Sequence, residues 1–108
     1  MDLTIIRETE PSGAVRLRLS GAIDLASKDG LLETAKSALA AAPQLLLNLS
    51  DVRFMDSTGI SVLIDLAHEA EDHGKSFAVE EPSSRVQRIL AVTGLQDAWT
   101  LPSTAQDG

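Results

Sequence analysis

The sequence contains no cysteine. Disulfide frameworks and cysteine-ligated metal sites are therefore excluded. Aromatic residues make up only 3% of the chain, as Phe54, Phe77 and Trp99. Its core has to be aliphatic, built from Leu, Ile, Val and Ala. Basic residues are the scarcer charge: nine Lys and Arg stand against sixteen Asp and Glu, a net charge of −7. That balance argues against binding nucleic acid or anionic lipid through bulk electrostatics. It leaves two readings, a basic partner surface or acidity that keeps the protein soluble. No apolar run approaches the roughly 18 residues of a membrane helix. No charged-then-apolar leader opens the chain, since Met1-Asp2-Leu3-Thr4 passes straight into a strand-like stretch. The expectation is a cytoplasmic protein with no cofactor, no nucleic acid and no membrane partner.

What is present fits one compact domain of 108 residues, 44% of them hydrophobic. Leu3, Ile5 and Ile6 mark a first strand, and Glu10-Pro11-Ser12-Gly13 a turn. Val15, Leu17 and Leu19 alternate with Arg16, Arg18 and Ser20, the period of a half-buried strand. These two strands should form a hairpin. Leu25, Leu31, Leu32, Ala35, Leu39 and Ala42 then fall at helical spacing, with Asp24 or Ser27 as N-cap and Pro43 as the stop. Gly30 weakens the start of that helix.

Leu45 to Leu49 reads as a central strand covered on both faces, ending at a Ser50-Asp51 break. A second helix follows Asp56 or Ser57, with Ile60, Leu63, Ile64, Ala67 and Ala70 inward. Ser61, Asp65, Glu69 and Asp72 lie on its other side, and His73-Gly74 closes it. Ser76–Glu80 is a further strand. Glu81-Pro82-Ser83-Ser84 turns into a third helix with Val86, Ile89, Leu90 and Thr93 inside. Trp99 and Leu101 suggest a short edge strand, and 102–108 a polar tail behind a domain spanning 1–101. The fold class is α/β in the order β-β-α-β-α-β-α, a mixed sheet of four to five strands with helices packed on it. Right-handed crossovers make its middle strands parallel.

The chemistry concentrates in Val52-Arg53-Phe54-Met55-Asp56-Ser57-Thr58-Gly59, between a buried strand and an amphipathic helix. The first N–H groups of a helix lack internal partners and favour an anion there. A serine at this place is either a cap or a phosphoacceptor with its hydroxyl outward. Gly59 early in a helix costs about 1 kcal/mol relative to Ala, a hint that something such as a partner's backbone comes close. Arg53 either contacts a partner or tethers the loop to Asp51.

Other chemistries fit poorly. The aspartic protease signature has one residue between Asp and Gly, whereas Asp56 and Gly59 are separated by two. His68 and His73 are five apart, where a helical zinc pair needs four. No Gly-rich phosphate loop appears and no histidine pairs with Ser57. The chain carries no machinery of its own for phosphoryl transfer, and the expectation is that it is not an enzyme.

Three segments together carry a resemblance: Gly21-Ala22-Ile23-Asp24, Leu47-Asn48-Leu49 through Ile60, and Val86 through Leu95. In order and spacing, over roughly residues 3–101, the chain resembles the STAS family and within it the bacterial anti-sigma factor antagonists. The resemblance implies a partner switch. The unphosphorylated antagonist binds an anti-sigma factor and frees the sigma factor. The anti-sigma factor, a serine kinase, phosphorylates the antagonist and releases it, and a serine phosphatase resets the cycle. The implied acceptor is Ser57 rather than Thr58, and Asp24 matches the family's loop aspartate. The implied partner face holds Asp24, Arg53, Asp56, Ser57, Thr58, Gly59 and Ser61, on a monomer or weak dimer. Two other functions stay open: an adaptor subunit of a transport or stress-signalling complex, and a small-ligand sensor.

Overall fold

The computed structural model describes residues 2–93. The expected edge strand at Trp99 and Leu101, the boundary at 101 and the polar tail lie outside the described residues. Four strands and three helices run β1 (Leu3–Thr9), β2 (Val15–Ile23), α1 (Leu25–Ala41), β3 (Gln44–Met55), α2 (Ser57–Asp72), β4 (Ser76–Glu80) and α3 (Ser84–Thr93). The sheet order is β1-β2-β3-β4. β1 and β2 form the expected antiparallel hairpin, and β2, β3 and β4 are parallel.

Two successive crossovers in the same direction put α1 and α2 on one face of the sheet, where they touch each other. Val15, Leu17 and Leu19 of β2 and Leu45, Leu47 and Leu49 of β3 alternate onto that face and are buried. From α1 they meet Leu31, Ala35, Ala38 and Leu39, and from α2 Leu63 and Leu66. The aliphatic core needs no aromatic ring to close it. On the opposite face, Arg16 pairs with Glu80 and Glu10, the latter at 2.8 Å. Arg16 is the register partner of Leu46, and Glu80 sits beyond it on β4, so the guanidinium bridges across β3. The apolar stem of an arginine can shield a residue such as Leu46 while its head stays polar. The Glu80 and Glu10 carboxylates raise the Arg16 guanidinium further above its usual range, against a smaller opposing cost of burial.

Four expectations need correction. β3 does not end at Ser50-Asp51 but runs on to Met55. Val15 pairs with Leu45 and Ile23 with Met55, so nine residues of β2 face eleven of β3. Irregularities between Arg18 and Ser20 and between Gly21 and Ala22 absorb the excess. Asn48 supports the first of them, its buried side chain accepting from the Ser50 N–H at 3.1 Å and the Ser50 hydroxyl at 2.7 Å. The inner face of α2 also includes Val62 and Leu66, both fully buried, because this helix packs on α1 as well as on the sheet. Ile64 and Ala67, expected inside, are half-buried, and Thr93 of α3 is exposed. Finally, Leu25, grouped by helical spacing with the apolar residues of α1, opens that helix and is 76% exposed.

Candidate functional site

Ile23 and Met55 are register partners at the ends of β2 and β3. Adjacent strands lie about 4.8 Å apart, so the residues that follow, Asp24 and Asp56, begin two helices on one rim. Both aspartates have extended backbones and act as N-caps. The Asp24 carboxylate accepts from the Ser27 N–H at 3.1 Å, and the Ser27 hydroxyl oxygen accepts from the Asp24 N–H at 3.1 Å. That reciprocal pair is a capping box. The Ser27 hydroxyl also donates to the Ala22 carbonyl at 3.0 Å. The open choice between Asp24 and Ser27 as N-cap is thus resolved for Asp24, with Ser27 as its capping-box partner at the third helical position.

Asp56 is only half of such a box. Its Oδ1 accepts from the Thr58 N–H at 2.9 Å, and its carbonyl accepts from the N–H groups of Gly59 and Ile60. The third helical position, which would close the box, is Gly59 and carries no side chain. A Cβ there would stand 2.3 Å from Met55 Cγ and 3.2 Å from Ile23 Cγ2. The close approach that Gly59 permits therefore comes from this chain's own strand ends, not from a partner's backbone. This same contact packs the start of α2 onto the Ile23–Met55 pair.

Ser57 is the first residue of α2 and is exposed. With Asp56 supplying the cap, the Ser57 hydroxyl has no hydrogen-bond partner among the described residues. Thr58 is half-buried, and Ser61 stands exposed one turn later on the same helix edge. Arg53 is the extra residue of β3 between the Gly21–Val52 and Ala22–Phe54 pairs. It is exposed and forms no ion pair with Asp51, so the proposed tether is absent. The structure thus gathers Asp24, Arg53, Asp56, Ser57, Thr58, Gly59 and Ser61 at one end of the sheet.

Gly21 has a φ of +113°, a conformation that favours glycine, at the second irregularity between β2 and β3. A Cβ at that position would fall 2.1 Å from the Asp2 carbonyl oxygen. Ser83, at the start of α3, has a different employment. Its hydroxyl donates to the Val52 carbonyl at 2.7 Å and accepts from the Val86 N–H at 3.3 Å, fastening α3 to the second half of β3. His68 and His73 are both exposed, and His73 Nδ1 lies 2.8 Å from the Glu69 carbonyl. Among the described residues no three His, Asp or Glu side chains converge to hold a metal, and no helix is long and apolar enough to cross a membrane.

The fold has counterparts among proteins of known sequence and structure. The anti-sigma-B factor antagonist of Bacillus subtilis (strain 168) is 29% identical over 94 residues, spanning 87% of this chain and 86% of that protein. The unphosphorylated form of the anti-sigma factor antagonist SpoIIAA superposes with a TM-score of 0.79 at 22% identity, covering 96% of this chain and 91% of that one. The phosphorylated form of SpoIIAA, a Bacillus cell fate determinant, gives a TM-score of 0.74 at 21% identity, covering 96% and 95%. At those identities the two structures establish the fold. The family model described as Mlab, STAS domain, matches residues 6–102, and the chain therefore belongs to the STAS domain family.

Proposed function

We propose that this chain is an anti-sigma factor antagonist, and that phosphorylation of Ser57 switches its binding off. The unphosphorylated form binds an anti-sigma factor with serine kinase activity, and the sigma factor is freed. A serine phosphatase restores the binding form. The observation that carries this reading is the division of labour at the start of α2. Asp56 caps the helix, so Ser57 is exposed with an unengaged hydroxyl. A serine needed as a cap would have to abandon its helix to be modified; this one does not.

The electrostatics supply the switch. A phosphate at Ser57 adds about −1.5 to −2 charges. The start of α2 offsets part of that charge in the free protein. A partner packed against Asp24, Asp56 and Ser57 would meet the added charge and bulk without water to screen it. A loss of about 3 kcal/mol weakens binding over a hundredfold. No catalytic group of this chain is involved, and the chain works in the cytoplasm as the kinase's substrate.

The test is a titration of the host's purified anti-sigma factor kinases with wild-type, Ser57→Ala and Ser57→Asp proteins. Wild type and Ser57→Ala should bind one kinase tightly in the presence of ATP analogues, and Ser57→Asp should bind weakly. If none binds, and the chain instead co-purifies in fixed ratio with a transporter ATPase, the adaptor function replaces the switch.

A further inference from the structure

Five glycines fall within the described residues, and four have a visible reason. Gly13, Gly21 and Gly74 adopt positive φ, and Gly59 has Met55 and Ile23 where a side chain would go. Gly30 has neither. It sits inside α1, is exposed, and has nothing within 4 Å of where a Cβ would stand. Glycine inside a helix is less stable than alanine, so the fold gains nothing from it. Leu25 presents the opposite anomaly, a large apolar side chain 76% exposed at the first position of the same helix. Both anomalies lie in the first two turns of α1.

These turns share the rim with Ser57. Ile23 and Met55 are paired, so Leu25 and Ser57 are the first residues of adjacent helices. Ala26, Asp29, Gly30 and Glu33 are all exposed. Their spacing of i, i+3, i+4 and i+7 makes one continuous stripe on α1. Leu25 projects beside it, while Ala26 and Gly30 leave it flat and Asp29 and Glu33 make it acidic. A projecting leucine beside a flat patch suits an apolar pocket next to a closely approaching backbone. Acidic neighbours suit basic groups at the pocket's edge.

We infer that the first two turns of α1 form the anchoring half of the partner interface, with Leu25 inserted in an apolar pocket of the anti-sigma factor and Gly30 under its backbone. This rests on the functional reading above and adds a division within it: α1 supplies affinity and Ser57 supplies control. Truncating a buried interface anchor commonly weakens binding tenfold or more. A side chain added at Gly30 would hold the partner's backbone off the helix.

The two halves can be tested separately with the purified anti-sigma factor kinase that wild-type protein binds. Leu25→Ser and Gly30→Leu should each weaken binding at least tenfold. Gly30→Ala should raise the melting temperature while lowering affinity, because nothing within the chain opposes the new methyl group. Ile6→Ser, at an exposed leucine-sized residue on the sheet face away from α1 and α2, should bind as wild type. Binding within twofold of wild type for either Leu25→Ser or Gly30→Leu, where Ser57→Asp still releases the kinase, overturns the anchor and leaves the switch standing. If wild-type protein binds no anti-sigma factor kinase, the switch falls and the anchor with it.

Discussion

Ser27 and Ser57 stand in the first turns of neighbouring helices, on chain segments that leave the sheet side by side. The Ser27 hydroxyl closes a capping box with Asp24 and donates to the Ala22 carbonyl. Ser57 has the same kind of hydroxyl, one strand over, and holds nothing. The difference comes from which helical position carries the serine. At the third position a hydroxyl reaches back to the cap residue's N–H. At the first it points away from the helix. Gly59 occupies the third position of α2 because Met55 and Ile23 fill the space a side chain would need. Dense packing beneath the start of α2 thus leaves no room for a side chain at its third position, whereas the third position of α1 carries a serine that locks the turn.

The largest way to disturb this contrast is to crowd the packed start. Gly59→Val should destabilise the protein by about 3 kcal/mol, since Met55 and Ile23 must both move; chemical denaturation would measure it. Next comes the control residue itself. Ser57→Asp should weaken binding to the anti-sigma factor kinase tenfold to a hundredfold, or about 1.4–2.8 kcal/mol, in a calorimetric titration. Removing either cap, as Asp24→Ala or Asp56→Ala, should cost about 1 kcal/mol of stability. The smallest effects separate the serines. Ser27→Ala should cost about 1 kcal/mol, because it leaves the Asp24 N–H without its partner. Ser57→Ala should shift stability by less than about 0.5 kcal/mol. Equal costs at the two serines would erase the contrast.

Much of this was legible in the residues. Alternation in Val15 to Leu19 gave the faces of β2, and the run Leu45 to Leu49 gave a central strand covered on both sides. The Asp56-Ser57 junction was visible as a helix start, although which residue capped it was not. Capping is decided by which side chain can reach which N–H, and that depends on the exit angle of β3. The continuation of β3 to Met55 was hidden because its two extra residues, absorbed opposite β2, break the period of two that marks a strand. Helical spacing also grouped Leu25 with residues that turn out buried, since periodicity cannot tell a residue at a helix start from one a turn later that faces the sheet. The reason for Gly59 lay in Met55, four positions back, and in Ile23, thirty-six positions away in sequence, which strand pairing sets beside Met55.

The account's central claim is that the hydroxyl left free at the start of α2 is the one that takes the phosphate. Incubating the full chain with its anti-sigma factor kinase and ATP, then locating the phosphate by peptide mass mapping, tests this most directly. A single phosphate on Ser57, absent from the Ser57→Ala protein, is the predicted result. A phosphate on Ser27, Thr58 or Ser61, or undiminished phosphorylation of Ser57→Ala, would contradict it.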